Sequence, residues 1–410
     1  MNTATTGLAG LTSQSLGLFG LSTGATNLNT IVIGRLGQLT VKGDVDLASV
    51  FVQGGANGTI GSLTIQCSLI GDALETGRIV ASGNIGAVKI EGDIVGGPGT
   101  NSGSLETPGK IASLLLGGSL FGGSGARSGR VSANNDIGAI TIQGSIVGGS
   151  GSLSGSLYSE YRMASVKVGG SVIGGEAYAS GTVSAREDTG SVTITGNIQG
   201  GIGDGSGVLQ FDRDVSRLVI GGSVLGGTGF ASGRIFADHI AGVSRITGDV
   251  AGGSAIFSGT LGARRIDNLT IGGSLRGGTA SRSGSIETSG DVGTLTISGN
   301  LIGGSATGSM DLVGSGCIRS GSINKLTVGG SMIAGVDSTT GDFEDNGAIR
   351  VRRELTSLLV RGSLLGNSTH RVLITANRQL DPTANADLAI GSIKIDGRVE
   401  YSRIRAGIFF

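Results

Sequence analysis

Ile137–Arg162, IGAITIQGSIVGGSGSLSGSLYSEYR, recurs with variations from about Leu36 to the C-terminus. Units begin at Leu36, Ile60, Ile85, Ile111, Ile137, Met163, Thr189, Val215, Ala241, Ile266, Val292, Ile323, Leu355 and Ile390. The spacing is 24–26 residues until the last three intervals, which are 31, 32 and 35. A period of this size marks a repeat architecture and governs the reading of everything else. Five residues after each start stands a branched aliphatic, from Val41 through Ile142 to Ile395. Two residues earlier the position is aliphatic in every unit except at Ser244. A glycine column follows (Gly43, Gly92, Gly118, Gly144, Gly170), broken only by Cys67. Next comes Ser, Asp or Asn, with Arg398 as the exception, and then a second aliphatic column from Val45 to Val399.

The alternation in Ile140–Ile142 has the period of a strand with one buried face. The Gly-Ser step is read as a turn, with glycine at positive φ and the polar residue bonding its own neighbouring backbone. The segment IVGG supplies a second short strand and corner. SGSL at Ser154–Leu157 opens a third strand, repeated at Ser128–Val131, Ser180–Val183 and Ser232–Ile235. One such unit cannot fold alone. Its inward aliphatics contribute roughly 1.5–3 kcal/mol each, while ordering each residue costs about 1–2 kcal/mol. Stacking closes the gap, because each strand then pairs with its counterpart one unit away. The expectation is all-β: a parallel β-solenoid, a right-handed β-helix by the crossover rule, of about 14 rungs with three short strands each. At about 4.8 Å per rung it would be roughly 65 Å long. Residues 31–410 read as a single solenoid domain, with longer loop insertions within 308–390.

Composition agrees. Glycine accounts for 82 of 410 residues without the every-third spacing of collagen. There is no Trp, and only 10 Phe and 4 Tyr, as suits an interior with little room for rings. Lys and Arg balance Asp and Glu at 30 each, so no basic field points to nucleic acid. No apolar run reaches the length of a membrane span. Residues 1–30 carry no charge and lack the basic region of a signal peptide. They read as a lead or cap segment, with a degenerate rung as the competing reading. Cys67 and Cys317 lie nine rungs apart, too far for a disulfide, and are expected to be isolated thiols.

Candidate chemistry is sparse. Asp337, Asp342, Glu344 and Asp345 crowd one insertion, but their spacing is not that of a calcium hand. A solvated acidic loop is the expectation, with Arg350, Arg352, Arg353 and Arg361 pairing with those acids or hydrating an outer face. A polysaccharide-cleaving β-helix needs carboxylates meeting on one face. Asp44, Asp93 and Asp249 occupy one column but two and six rungs apart, roughly 10 and 29 Å. His239 and His370 are four to five rungs apart and read as surface or corner residues. The segment GGSGSLSG lacks the Lys-Ser/Thr and helix of a phosphate loop, GGIGDG (Gly200–Gly205) occurs once and has its Asp misplaced for a calcium nonapeptide repeat, and both read as corners. Thr40, Thr64, Thr141, Thr193, Thr270, Thr296 and Thr327 share an outward column. Lys89, Leu115, Lys167, Val219, Arg245, Leu359 and Lys394 interrupt it, which argues against an ice-binding ladder. No catalytic residue, metal ligand or cofactor is assigned.

The iterated IGSLTIxGSLxGG rungs at Ile60–Leu69, Ile266–Gly278 and Val292–Gly304 resemble the glycine-rich β-strand-repeat proteins of planctomycete-like bacteria. The tail Ile374–Gly407, with Ala384–Asp387 before Ile390–Gly391, is similar to segments that follow such arrays. The resemblance covers nearly all of residues 31–410. It implies a secreted or cell-surface protein without an assigned activity. The chain departs from that pattern in having no export signal and in stopping at Phe410, as a piece of a longer product would. The expected function is a non-enzymatic structural or adhesive rod, a stalk or spacer whose partners are surface glycans or other surface proteins. The alternatives are a polysaccharide-binding or -processing β-helix and an intracellular scaffold polymer that associates end to end through open strand edges.

Overall fold

A computed structural model describes residues 7–17, 28–309, 311–377 and 388–407. Parallel strands stack into a β-solenoid of about fifteen turns. Each regular turn carries a six-residue strand, a two-residue strand and a four-residue strand, as in Ile137–Ile142, Ile146–Val147 and Ser156–Ser159. Equivalent residues face each other from turn to turn: Leu114, Ile140 and Val166 stand in one column, and Leu120, Ile146 and Val172 in another. All six are buried in an aliphatic interior. The register therefore follows the sequence period, since a one-residue slip would turn every aliphatic outward.

The chain forms two compact units, Met1–Gly196 with Ser206–Arg213, and Asn197–Gly205 with Asp214–Phe410. In the first, Gly7–Leu8, Leu11–Ser13 and Leu16–Gly17 pair in parallel with Arg35–Leu36, Leu39–Val41 and Val45–Asp46. Residues 7–17 thus add parallel strands to the solenoid. The Ala384–Asp387 part of the tail lies outside the described residues.

Two corners work differently from the sequence expectation. Gly144 does not have positive φ. Its constraint is close approach: a Cβ there would sit 2.1 Å from Ser119 Oγ and 2.8 Å from the Gly118 carbonyl oxygen. The polar residue beside it does not bond its own neighbours. The Ser145 amide donates to Ser119 Oγ (3.0 Å), and Ser145 Oγ accepts from the Ser171 amide one turn on (3.0 Å). Glycine is needed because a side chain from the adjacent turn folds over its backbone. Positive φ occurs instead before the third strand, at Arg127 (56°) and Gly129 (58°). Between them Ser128 is fully buried. Its Oγ accepts from the Gly123 amide (2.9 Å) and donates to the Gly125 carbonyl (2.7 Å). The same serine arrangement recurs at Ser102, Ser154, Ser180, Ser232, Ser258 and Ser283.

From Lys110 to Asp188 the third corner carries charge. In the first unit Lys110 Nζ meets Asp136 (3.0 Å), whose other oxygen accepts from the Arg162 amide (3.4 Å), and Arg162 meets Asp188 (3.8 Å). In two turns of the second unit the corner vanishes as a break, and single strands run through it at Ile235–Ile246 and Leu261–Ile271, whereas later turns keep it, as between Ile286–Thr288 and Asp291–Ile297. Ile240, not Ala241, opposes Ile266, and the register shifts before Val243. This bulge, with Gly242 at φ 60°, explains the polar Ser244 in an aliphatic column. Ser244 Oγ accepts from the Leu218 amide (3.0 Å) and donates to the Ala241 carbonyl (3.3 Å). The insertions also have order of their own. Ala306–Gly308 pairs with Asp337–Thr339, and Leu312–Val313 with Phe343–Glu344. One ring does enter the interior: Phe211 is fully buried.

Candidate functional site: an arginine-lined groove

In the second unit the outward position of the third strand runs Phe236, Gly262, Glu287, Arg319, Arg350, each in register with the next. Gly262 leaves a gap in that column, and a groove of about 670 Å³ opens around it. Arg234, Arg264, Arg282, Arg319, Arg350 and Arg352 line the groove, together with Phe236, Asp238 and Glu287. The neighbouring strands hold these side chains in place. The Arg234 guanidinium lies over Phe236 (5.0 Å) and Phe257 (5.8 Å), and Arg282 covers Phe257 (5.2 Å). Arg264 grips Asp238 with two bonds, at 2.8 and 2.9 Å. Arg352 donates to the Ser289 carbonyl (2.5 Å).

Arg234 Nε and Glu287 Oε1 are enclosed by protein atoms without a hydrogen-bond partner, as are Arg78 Nε and Arg130 Nε in the first unit. Burial pushes the Arg234 guanidinium below its usual pKa, with Glu287 acting the other way. A concave surface of mixed aromatic and charged side chains is what a ligand site provides.

The acids of the insertion divide. Asp342 and Glu344 are exposed, whereas Asp345 is buried and pairs with Arg319 (3.2 Å) and Arg350. The expected solvated loop is therefore partly an internal anchor, because two guanidiniums compensate the buried charge. Arg353 pairs with Asp291, outside the insertion, and Arg361 is exposed. The corner carboxylates serve the backbone: Asp44, Asp93 and Asp249 accept from the amides of Ser68 (2.8 Å), Ser119 (2.6 Å) and Ser274 (2.6 Å). The interrupted Thr column is in register, Thr141 standing between Leu115 and Lys167.

His239 is more than a surface residue. Its ring nitrogens lie 3.3 Å from Asp214 and 2.9 Å from Asp267. Asp267 also accepts from Arg265 (2.9 Å) and from the Gly242 amide (3.1 Å). Partial burial works against the Asp267 charge, but the bonds from His239, Arg265 and Gly242 prevail and bring its pKa to about 2. His370 packs edge-on against Phe343, and burial lowers its pKa. Cys67 is exposed and Cys317 buried, both free. Among the described residues, no group of three or more His, Cys, Asp or Glu is placed to hold a metal, and no helix is long and apolar enough to cross a membrane.

The groove escaped the sequence reading because its arginines come from several turns and two kinds of position. The available signal was Gly262, a glycine in an outward column where other turns carry side chains. Comparison with protein families, curated proteins and solved structures finds no match.

Proposed function

We propose that the chain is a non-enzymatic structural and adhesive solenoid, a stalk or spacer at the cell surface or outside the cell. The observation that supports this reading is the register of the outward columns. Thr40 faces Thr64, Thr270 faces Thr296, and Thr296 faces Thr327, so runs of two or three neighbouring turns present the same hydroxyl chemistry. Weak contacts to a repetitive partner, such as surface glycans or another surface protein, add along such a face. The resemblance to glycine-rich surface proteins points the same way. Protease shaving of intact producing cells tests it. Release of this chain from unbroken cells supports the reading, and retention until lysis sinks it in favour of an internal scaffold. A second reading, polysaccharide binding, is favoured by the arginine-lined groove.

A further inference from the structure

We propose that the groove around Gly262 binds an acidic oligosaccharide, taking its carboxylates on the arginines and its hydroxyls on Glu287. Three observations carry this. First, both donors and an acceptor line the groove: six arginine side chains and Glu287. A fully ionised anion satisfies the donors but leaves Glu287 facing more negative charge. A uronate sugar carries a carboxylate for the planar guanidinium fork and hydroxyl donors for the carboxylate. Second, the column from Phe236 to Arg350 crosses five successive turns, about 19 Å at the usual strand spacing. A single small ion cannot span that run, whereas a short chain of sugar rings can. Third, Gly262 lines the groove without a side chain of its own, and the Phe236 ring and Arg234 close in beside it, 3.1 and 3.0 Å from where a Cβ would stand. The Phe236 ring supplies an apolar part of the wall for a ring-shaped ligand.

The inference names a partner class for the adhesive reading but does not depend on where the chain resides, so binding in solution and surface exposure can fail separately. The test is titration calorimetry on the purified full chain, with oligogalacturonate and oligoglucuronate as probes. A neutral oligosaccharide of equal length, inorganic phosphate and a single-stranded oligonucleotide serve as comparisons. At least one uronate oligomer should bind more tightly than every comparison and should weaken as salt is raised. Gly262→Gln puts into the groove a residue that the outward position carries at Gln210, and Arg282→Gln removes a charge that pairs with Glu287 (3.9 Å), outside the buried Asp345 pairs. Each should weaken binding about tenfold, the usual effect of losing a charged hydrogen bond. Circular dichroism melts should match the parent chain, and the Arg282 variant keeps the test informative if the Gly262 variant does not fold. The proposal is overturned if neither uronate oligomer binds, if the neutral sugar, phosphate or oligonucleotide binds as tightly, or if both folded variants bind like the parent.

Discussion

At the scale of single residues, buried serines hold the corners. Ser128 satisfies one amide and one carbonyl that the tight turn leaves without strand partners. Ser128→Ala strands the Gly123 amide in the interior and should cost about 1–3 kcal/mol, read as a lower denaturant midpoint. Asp267 gives a pH signature. Its folded pKa of about 2 lies below the unfolded value of about 3.9, so its contribution is fully present above about pH 4 and is lost as pH falls toward 2. Asp267→Asn should be less stable than the parent at neutral pH, and the gap between their urea midpoints should close below about pH 4. Cys317 is buried, which pushes its thiol up to about 12, while Cys67 is exposed. Mass spectrometry after alkylation should therefore find one modified thiol in the native chain and two after denaturation.

At the scale of the corner and strand, the two glycine positions differ in what they forbid. At Gly144 the nearest obstacle is the Ser119 side chain, which can rotate, although the Gly118 carbonyl remains close. At Gly129 the backbone has φ 58°, and a Cβ would meet the Phe121 carbonyl at 1.8 Å. Gly129→Ala should therefore lose more stability than Gly144→Ala, the latter costing about 1–3 kcal/mol as an overpacking change. Thermal melts of the two variants check the order. The same contrast shows how much could be read from sequence. Alternation such as Ile140–Ile142 and the repeat period disclosed strands, columns and register, because burial acts on side-chain type directly. The cause of the Gly144 column was not legible, since the atom that excludes a Cβ belongs to the preceding turn. The bulge at Gly242 hid for a related reason: one extra residue shifts the phase by one, and Ala241 is apolar enough to pass for the inward residue that is in fact Ile240. The groove was least legible, because a site assembled across turns leaves no contiguous motif.

At the scale of the molecule, stability is divided among neighbouring turns, since each turn packs on those beside it. Ile140→Ala opens a cavity worth about 2–5 kcal/mol. Hydrogen exchange should accelerate in its own and adjacent turns while turns well removed keep parent rates; uniform acceleration along the chain would contradict this. The charged corner has a consequence for how such an array can grow. Lys110, Asp136, Arg162 and Asp188 alternate in sign: Lys110 pairs with Asp136 and Arg162 with Asp188, while Asp136 accepts from the Arg162 backbone amide between them. Copying one turn within that run sets two like charges against each other, whereas copying two preserves the alternation. The smallest unit that can be duplicated there without an electrostatic fault is therefore a pair of turns, although the apolar columns repeat with every one.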